Sequence, residues 1–212
     1  MKYQTEYIPS QYRVDYLFED HGGPVYICLH GYGQSGDNFY SLIKSALPEN
    51  STILVPNGPY PLPGKARTIE CLGFAWYFYD SKSQQYYVPY DIPANIVKDL
   101  IDHLNLTDRK KIIIGYSQGG YLAPFLAQEL TALEKVICIN SSFRPDMMKE
   151  GKEDFKVHAI SGADDDMVNP IEAKKKHEQL SNLNREGDFK LLENTNHRIN
   201  DEILRELKNY LV

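Results

Sequence analysis

A three-layer α/β domain, built on a mostly parallel sheet with helices on both faces, is the fold class predicted by this 212-residue sequence. Short continuous apolar runs rich in Val and Ile recur along the chain, as parallel strands buried on both sides require. Longer segments with apolar residues at helical spacing alternate with those runs, which is the pattern of repeated strand–helix units. The length itself fits one domain, at about 100–200 residues per domain, so a single unit is expected over 1–212.

The elements follow in order. Residues 12–18 alternate apolar and polar and suit an antiparallel edge strand. Val25-Tyr26-Ile27-Cys28-Leu29 reads as a buried strand, followed by a glycine-rich loop and a helical segment over 37–46. Thr52-Ile53-Leu54-Val55 is a second strand, stopped by Pro56-Asn57-Gly58-Pro59. Over 92–106 the spacing puts Ile96, Val97, Leu100, Ile101 and Leu104 on one helical face. Lys111-Ile112-Ile113-Ile114 is a strand running into Gly115, and an apolar-faced helix is expected over 119–130. Strands over 135–140 and 155–161, a helix over 170–183, a strand over 189–192 and a closing helix over 200–211 complete the chain.

Residues 57–91 break this alternation. Four prolines fall between Pro56 and Pro63, and Gly73-Phe74-Ala75-Trp76-Tyr77-Phe78-Tyr79-Asp80 comes after them, with Tyr86, Tyr87 and Tyr90 close behind. The whole chain carries 16 Tyr against 8 Phe, so this segment concentrates an unusual composition. A long aromatic excursion in a compact domain is the kind of segment that carries function.

Composition excludes several classes. Hydrophobic residues at 42% and charged ones at 25% are ordinary for a soluble globular chain and not for a disordered or coiled-coil one. The net charge is −6 and no dense basic cluster appears, so nucleic acid is not an expected partner. No apolar run approaches the roughly 18 residues of a membrane helix, and residues 1–6 are polar with no apolar signal core, so a cytoplasmic protein without integral membrane association is expected. Cys28, Cys71 and Cys138 read as reduced thiols, Cys28 and Cys138 as small buried hydrophobes. Asn50-Ser51-Thr52, Asn105-Leu106-Thr107 and Asn140-Ser141-Ser142 match the glycosylation pattern by chance. The sequence leaves the oligomeric state open.

The chemistry is carried by four loops. Gly115-Tyr116-Ser117-Gln118-Gly119 fits G-x-S-x-G and lies directly between a strand and a helix, where a nucleophile elbow must be. A serine in so tight a turn is strained, and its neighbours two residues away must lack bulk. His30-Gly31-Tyr32-Gly33-Gln34-Ser35-Gly36 follows the first buried strand and lacks a nucleotide-binding pattern. Acyl transfer needs two N–H donors for the developing oxyanion. The candidates are the backbone N–H groups of Tyr32, in this loop, and Gln118, next to the serine. His30 reads as a brace of its loop.

In this architecture the base follows the acid and lies on a loop after the last strand. Of the six histidines only His197 meets that, in Asn194-Thr195-Asn196-His197, while His177 reads as part of a solvated helix face. The acid is expected on the loop after the strand over 155–161, where Asp164, Asp165 and Asp166 stand in succession. A calcium loop would need alternating ligands, a central Gly and a distal Glu, so no metal is expected there.

Taken together, these residues resemble the phospholipase/carboxylesterase branch of the α/β-hydrolases, which includes acyl-protein thioesterases, lysophospholipases and small carboxylesterases. The resemblance runs through Leu29-His30-Gly31-Tyr32-Gly33 with Gly36 and Phe39, Pro56-Asn57-Gly58-Pro59, Ala75-Trp76-Tyr77 ahead of Asp80, the Ser117 motif through Gly120, Gly162 to Val168, and His197. It implies the α/β-hydrolase fold without a separate cap domain. It further implies a Ser117, Asp165, His197 set, Asp165 being picked by Gly-x-x-Asp-x-x-Val, with oxyanion donors at Tyr32 and Gln118 and no cofactor or metal. The expected substrate is a small-molecule ester or thioester, held in an open groove whose wall is the 57–91 excursion, with Trp76, Tyr77 and Tyr79 as substrate-binding candidates; ordinary packing of these rings onto the sheet is the equal alternative, and both can hold. Long-chain acyl-protein thioesterase or lysophospholipase activity is the alternative. A serine peptidase, or a silent binding protein on the same scaffold, ranks below both. Asn196 before the histidine, Asn169 after the valine and Pro124 within the nucleophile helix depart from the family pattern.

Overall fold

The computed structural model describes residues 11–63, 73–149, 155–185 and 187–211; Cys71, the polar residues 1–6 and part of the aromatic excursion lie outside them. Strands β1 (Tyr16–Glu19) and β2 (Val25–Leu29) come first, then helix α1 (Gly36–Ile43), a 3-10 turn and β3 (Thr52–Pro56). The excursion contributes β4 (Tyr60–Leu62), β5 (Gly73–Ala75), β6 (Phe78–Asp80) and β7 (Gln85–Val88). The remainder alternates: α2 (Asp91–His103), β8 (Lys111–Tyr116), α3 (Gln118–Gln128), β9 (Leu133–Ile139), β10 (Lys156–Gly162), α4 (Pro170–Glu178), β11 (Phe189–Leu192) and α5 (Asp201–Leu211).

Seven strands form one sheet in the order β1-β3-β2-β8-β9-β10-β11. β1 is antiparallel to β3 at the edge, and every other pairing is parallel. The period-2 geometry of a strand divides its side chains between two cores. Val25, Ile27 and Leu29 of β2 enter one core with α2, α3 and Leu180, while Tyr26 and Cys28 enter the other with Phe39 and Ile43 of α1 and Ile203, Leu207 and Leu211 of α5. Both faces are therefore covered by helices, and the continuous apolar strands are explained. α5 shows the same logic at helical spacing, burying Ile203, Leu207 and Leu211 while Asp201, Glu202 and Arg205 face water.

Several boundaries shift from the sequence expectation. The edge strand starts at Tyr16, where pairing with Pro56 begins, rather than at residue 12. α4 gives way to a 3-10 turn at Gln179 and stops at Asn184, whose φ of 55° takes the chain out of helix. Asn169 caps α4, its Oδ1 accepting from Ile171 N and Glu172 N at 3.0 and 3.1 Å. Pro124 does not interrupt α3. A proline there lacks the N–H that the Gly120 carbonyl would normally receive, and the buried Cys138 thiol donates to that oxygen at 3.3 Å instead. Cys28 is likewise buried, and desolvation pushes its thiol up to about 12. His177 is no solvated residue: it is buried, Nε2 lies 2.6 Å from Val157 O, and burial lowers its pKa.

Candidate active site

The loops at the carboxyl ends of β2, β8, β10 and β11 converge on Ser117. This serine has φ 49° and ψ −114°, a conformation in which an L residue is strained. The turn is held by Ser117 N–H donating to Ile139 O at 2.9 Å and Tyr121 N–H donating to Ser117 O at 3.1 Å. Its glycines are sterically required. A Cβ on Gly115 would run into the Gly119 backbone, and one on Gly119 would run into the Leu29 carbonyl oxygen. The elbow therefore packs backbone against backbone on the end of β2.

His197 stands on the loop after β11, and its ring bridges the other two residues. Nε2 lies 3.0 Å from Ser117 Oγ and Nδ1 lies 2.8 Å from Asp165 Oδ2. Of the three successive aspartates, only Asp165 turns inward; its side chain is completely buried, while Asp164 and Asp166 are exposed. The second carboxylate oxygen of Asp165 accepts from Met167 N–H and Val168 N–H at 2.9 and 2.8 Å. Both oxygens are thus used, one to fix the loop and one to orient the imidazole.

The glycine-rich loop closes the site from the β2 side. A turn is closed by Gln34 N–H donating to Gly31 O, with Gly33 at φ +74°, a value glycine adopts without strain. Tyr32 lies in this turn with an exposed side chain. Gln118 is the first residue of α3, so its N–H has no carbonyl within the helix to bond. The loop meets the elbow directly, since a Cβ on Gly31 would lie 2.9 Å from the Tyr116 ring.

His30 braces this loop. Its Nδ1 lies 2.8 Å from Gly31 O and its Nε2 accepts from Gly58 N–H at 2.9 Å, which together define a neutral ring. Burial pulls its pKa down to about 4. Trp76 lies against it, ring centroids 4.8 Å apart, and donates from Nε1 to His30 O at 2.8 Å.

Trp76 is therefore not a groove wall. It is fully buried, Tyr77 is nearly so, and both belong to the hydrophobic core. The physical reason is that the excursion folds into two short ribbons, β4–β5 and β6–β7, and the residues joining them turn inward. The Gln118 side chain fastens that junction, accepting from Trp76 N–H at 2.9 Å and donating to Tyr77 O at 2.8 Å. β5 also reaches the glycine-rich loop through Gly33 N–H to Phe74 O and Phe74 N–H to Gln34 O, at 2.9 and 2.8 Å. Of the three aromatic candidates only Tyr79, at 42% exposure, presents a large surface. Among the described residues, no group of three His, Cys, Asp or Glu side chains is placed to hold a metal.

Two residues at the site make contacts that no motif assigns to them. Tyr116 OH donates to His197 O at 2.8 Å, and the buried Asn140, at the end of β9, donates to the same oxygen from Nδ2 at 2.8 Å. The Asn140 signal in the sequence was a chance glycosylation pattern, and nothing local in it points to His197.

Comparison with known proteins bears on the fold and the family. Solved structures share the fold at low identity. Esterase PE8 aligns with TM-score 0.71 at 21% identity, covering 93% of this chain and 96% of its own. The acyl-protein thioesterase 2 of Zea mays aligns with TM-score 0.72 at 17% identity, covering 95% and 98%. The Bacillus cereus carboxylesterase aligns with TM-score 0.71 at 15% identity, covering 93% of each chain. No curated protein matches the chain in sequence. The family profile described as phospholipase/carboxylesterase, however, matches residues 19–212, nearly the whole domain. The chain belongs to the phospholipase/carboxylesterase family of esterase-type α/β-hydrolases.

Proposed function

We propose that the protein hydrolyses carboxylic ester or thioester bonds through an acyl-enzyme on Ser117. The observation that carries this reading is the unbroken chain from Ser117 Oγ through His197 to Asp165, with contacts of 3.0 and 2.8 Å on a strained elbow. As Ser117 Oγ attacks the carbonyl carbon, His197 Nε2 takes its proton. The tetrahedral oxyanion is held by the N–H groups of Tyr32 and Gln118, aided by the positive end of α3. His197 then protonates the departing alcohol or thiol. In deacylation the same imidazole takes a proton from water, and Asp165 stabilises its cationic form throughout.

Of the candidates Trp76, Tyr77 and Tyr79, Tyr79 alone keeps enough exposed surface to meet substrate. Tyr121, one turn into α3, lies within electrostatic reach of Asp165, Tyr86 and Arg144. A rim of phenols and a guanidinium suits acyl chains of about two to eight carbons better than a long aliphatic tail, each buried CH₂ contributing ~0.8 kcal/mol until the groove is filled. Fluorophosphonate labelling with a p-nitrophenyl ester panel from acetate to palmitate, beside acyl-CoA and lysophospholipid, tests both parts. Labelling of Ser117 and a short-chain optimum are expected. A kcat/KM that rises through palmitoyl substrates moves the assignment to the long-chain thioesterase or lysophospholipase activity. Absence of labelling moves it to a silent binding protein.

A further inference from the structure

We propose that Asn140 is a positioning residue for the hydrolytic reaction, holding the acid loop and the histidine loop in register through a single side-chain amide. This rests on the esterase reading above and goes beyond it by assigning a role to a residue outside the Ser117, His197, Asp165 set.

Asn140 is completely buried at the carboxyl end of β9, the strand lying between β8, which carries the serine, and β10, which carries the acid. Its backbone N–H donates to Ile160 O of β10 at 2.8 Å. Its Oδ1 accepts from Gly162 N–H at 2.9 Å, three residues before Asp165. Its Nδ2 donates to Asn196 O at 3.1 Å and to His197 O at 2.8 Å. One amide thus reads the acid loop with its acceptor and the histidine loop with its donors. The flipped amide would set an oxygen against two carbonyl oxygens, so the network admits one orientation.

The chemistry selects asparagine. Aspartate would keep the acceptor and lose the donors, serine is too short to span both loops, and glutamine carries an extra methylene into a fully buried position. The backbone adds a second constraint, because φ at this position is 44°, a left-handed value that asparagine tolerates better than most residues. Tyr116 OH provides the other donor to His197 O, at 2.8 Å. The backbone of the base is therefore clamped by two side chains, one from each of the adjacent strands β8 and β9, while Asp165 orients its ring.

The test compares Asn140→Gly, which accepts the left-handed backbone without strain and removes only the amide, with Asn140→Asp, nearly the same shape without the donors. Active sites are counted by the p-nitrophenol burst, so that kcat refers to folded, competent molecules. Asn140→Gly is expected to lower kcat per site by about 10–100-fold with KM within about twofold, the cost of misplacing a catalytic base by a fraction of an ångström. Asn140→Asp is expected to fall at least as far. The downfield proton NMR signal of the His197 Nδ1–H shared with Asp165 should broaden or vanish in both. A merely structural role would lower Tm yet leave kcat per site and that signal unchanged, and this result overturns the proposal. The NMR readout needs no turnover. If the wild-type protein is not labelled at Ser117, the esterase reading fails by itself, and the signal still reports whether Asn140 positions His197.

Discussion

The rim that carries Ser117, Asp165 and His197 and the aromatic excursion that follows β3 are built on opposite principles. On the rim each backbone is fixed by close contact or a buried hydrogen bond: the elbow glycines touch neighbouring main chain, Asp165 accepts three bonds, and His197 O receives two. In the excursion the framework is rings. Tyr86 packs at tilted angles against Tyr77, Tyr79 and Tyr90, and Tyr77 meets Tyr90 edge-on, with centroids 4.5–6.0 Å apart, while Tyr86 OH meets Tyr90 OH and Arg144 at 2.9 and 2.8 Å. Ring packing tolerates a shift of a few tenths of an ångström, whereas a proton-transfer geometry does not. The rim is therefore specified residue by residue. The excursion is specified by composition, except at Gly58 and Phe74–Tyr77, where hydrogen bonds fasten it to the glycine-rich loop, His30 and Gln118.

That contrast can be broken by mutation, most severely at the rim. Ser117→Ala should abolish fluorophosphonate labelling and lower kcat by about 10⁴–10⁶-fold with the fold intact. Labelling retained in Ser117→Ala would place the nucleophile elsewhere. Asp165→Asn should lower kcat by about 10³–10⁴-fold, because the imidazole loses its orienting anion. Asp164→Asn and Asp166→Asn, on exposed side chains, should change kcat by less than about threefold. A severe effect at Asp164 would contradict the inward turn of Asp165.

Within the excursion, Trp76 and Tyr79 separate fastening from contact. Trp76→Ala should cost about 3–5 kcal/mol, the range for emptying a buried aromatic site, and should slow acylation because His30 O and the glycine-rich loop lose their support. Urea unfolding reads the first effect and the rate of fluorophosphonate labelling the second. An unaltered urea midpoint would show that the excursion is not bolted to the rim.

The buried histidines predict a pH dependence that also belongs to the bolted part. His30 is held near 4 by burial, below the unfolded value of about 6.5. Its contribution to stability is therefore present above about 6.5 and is lost as pH falls toward 4, because the unfolded chain takes up a proton that the folded ring refuses. For a fully buried ring the loss is on the order of 3 kcal/mol. Burial lowers His158 and His177 in the same direction. Urea midpoints at about pH 7.5 and about pH 5 should differ, and the difference should shrink in His30→Gln. The smallest effect is expected at the exposed end. Tyr79→Ala should change stability by less than about 1 kcal/mol and raise KM for aromatic esters roughly three- to tenfold, the worth of one ring contact. No change in KM would remove Tyr79 from the substrate-contact surface.

How much of this was legible in the sequence depends on how local the determinant is. The strands β2, β3 and β8 and the helices α2 and α5 could be read because burial periodicity is a property of a few consecutive residues. The elbow could be read because a strained serine between a strand and a helix demands glycines within two positions of it. The position of His197 was legible too, since it is the one histidine that follows the last strand.

The remainder was decided by tertiary structure. Composition placed rings at Trp76, Tyr77 and Tyr79 alike; only the docking of two ribbons against His30 and Gln118 buried the first two and left the third in water. The run Lys174-Lys175-Lys176-His177 reads as solvated, yet the helix that carries it turns His177 onto the Val157 carbonyl. Asn140 lies 56 residues from Asn196 and 57 from His197, and meets them only because β8, β9, β10 and β11 lie side by side in that order. A hydrogen bond between loops at the same edge of a sheet depends on strand order, and strand order is written in no local pattern. Local pattern marks Ser117, Asp165 and His197 as candidates for acyl transfer; the order of the strands decides which other side chains hold them in place.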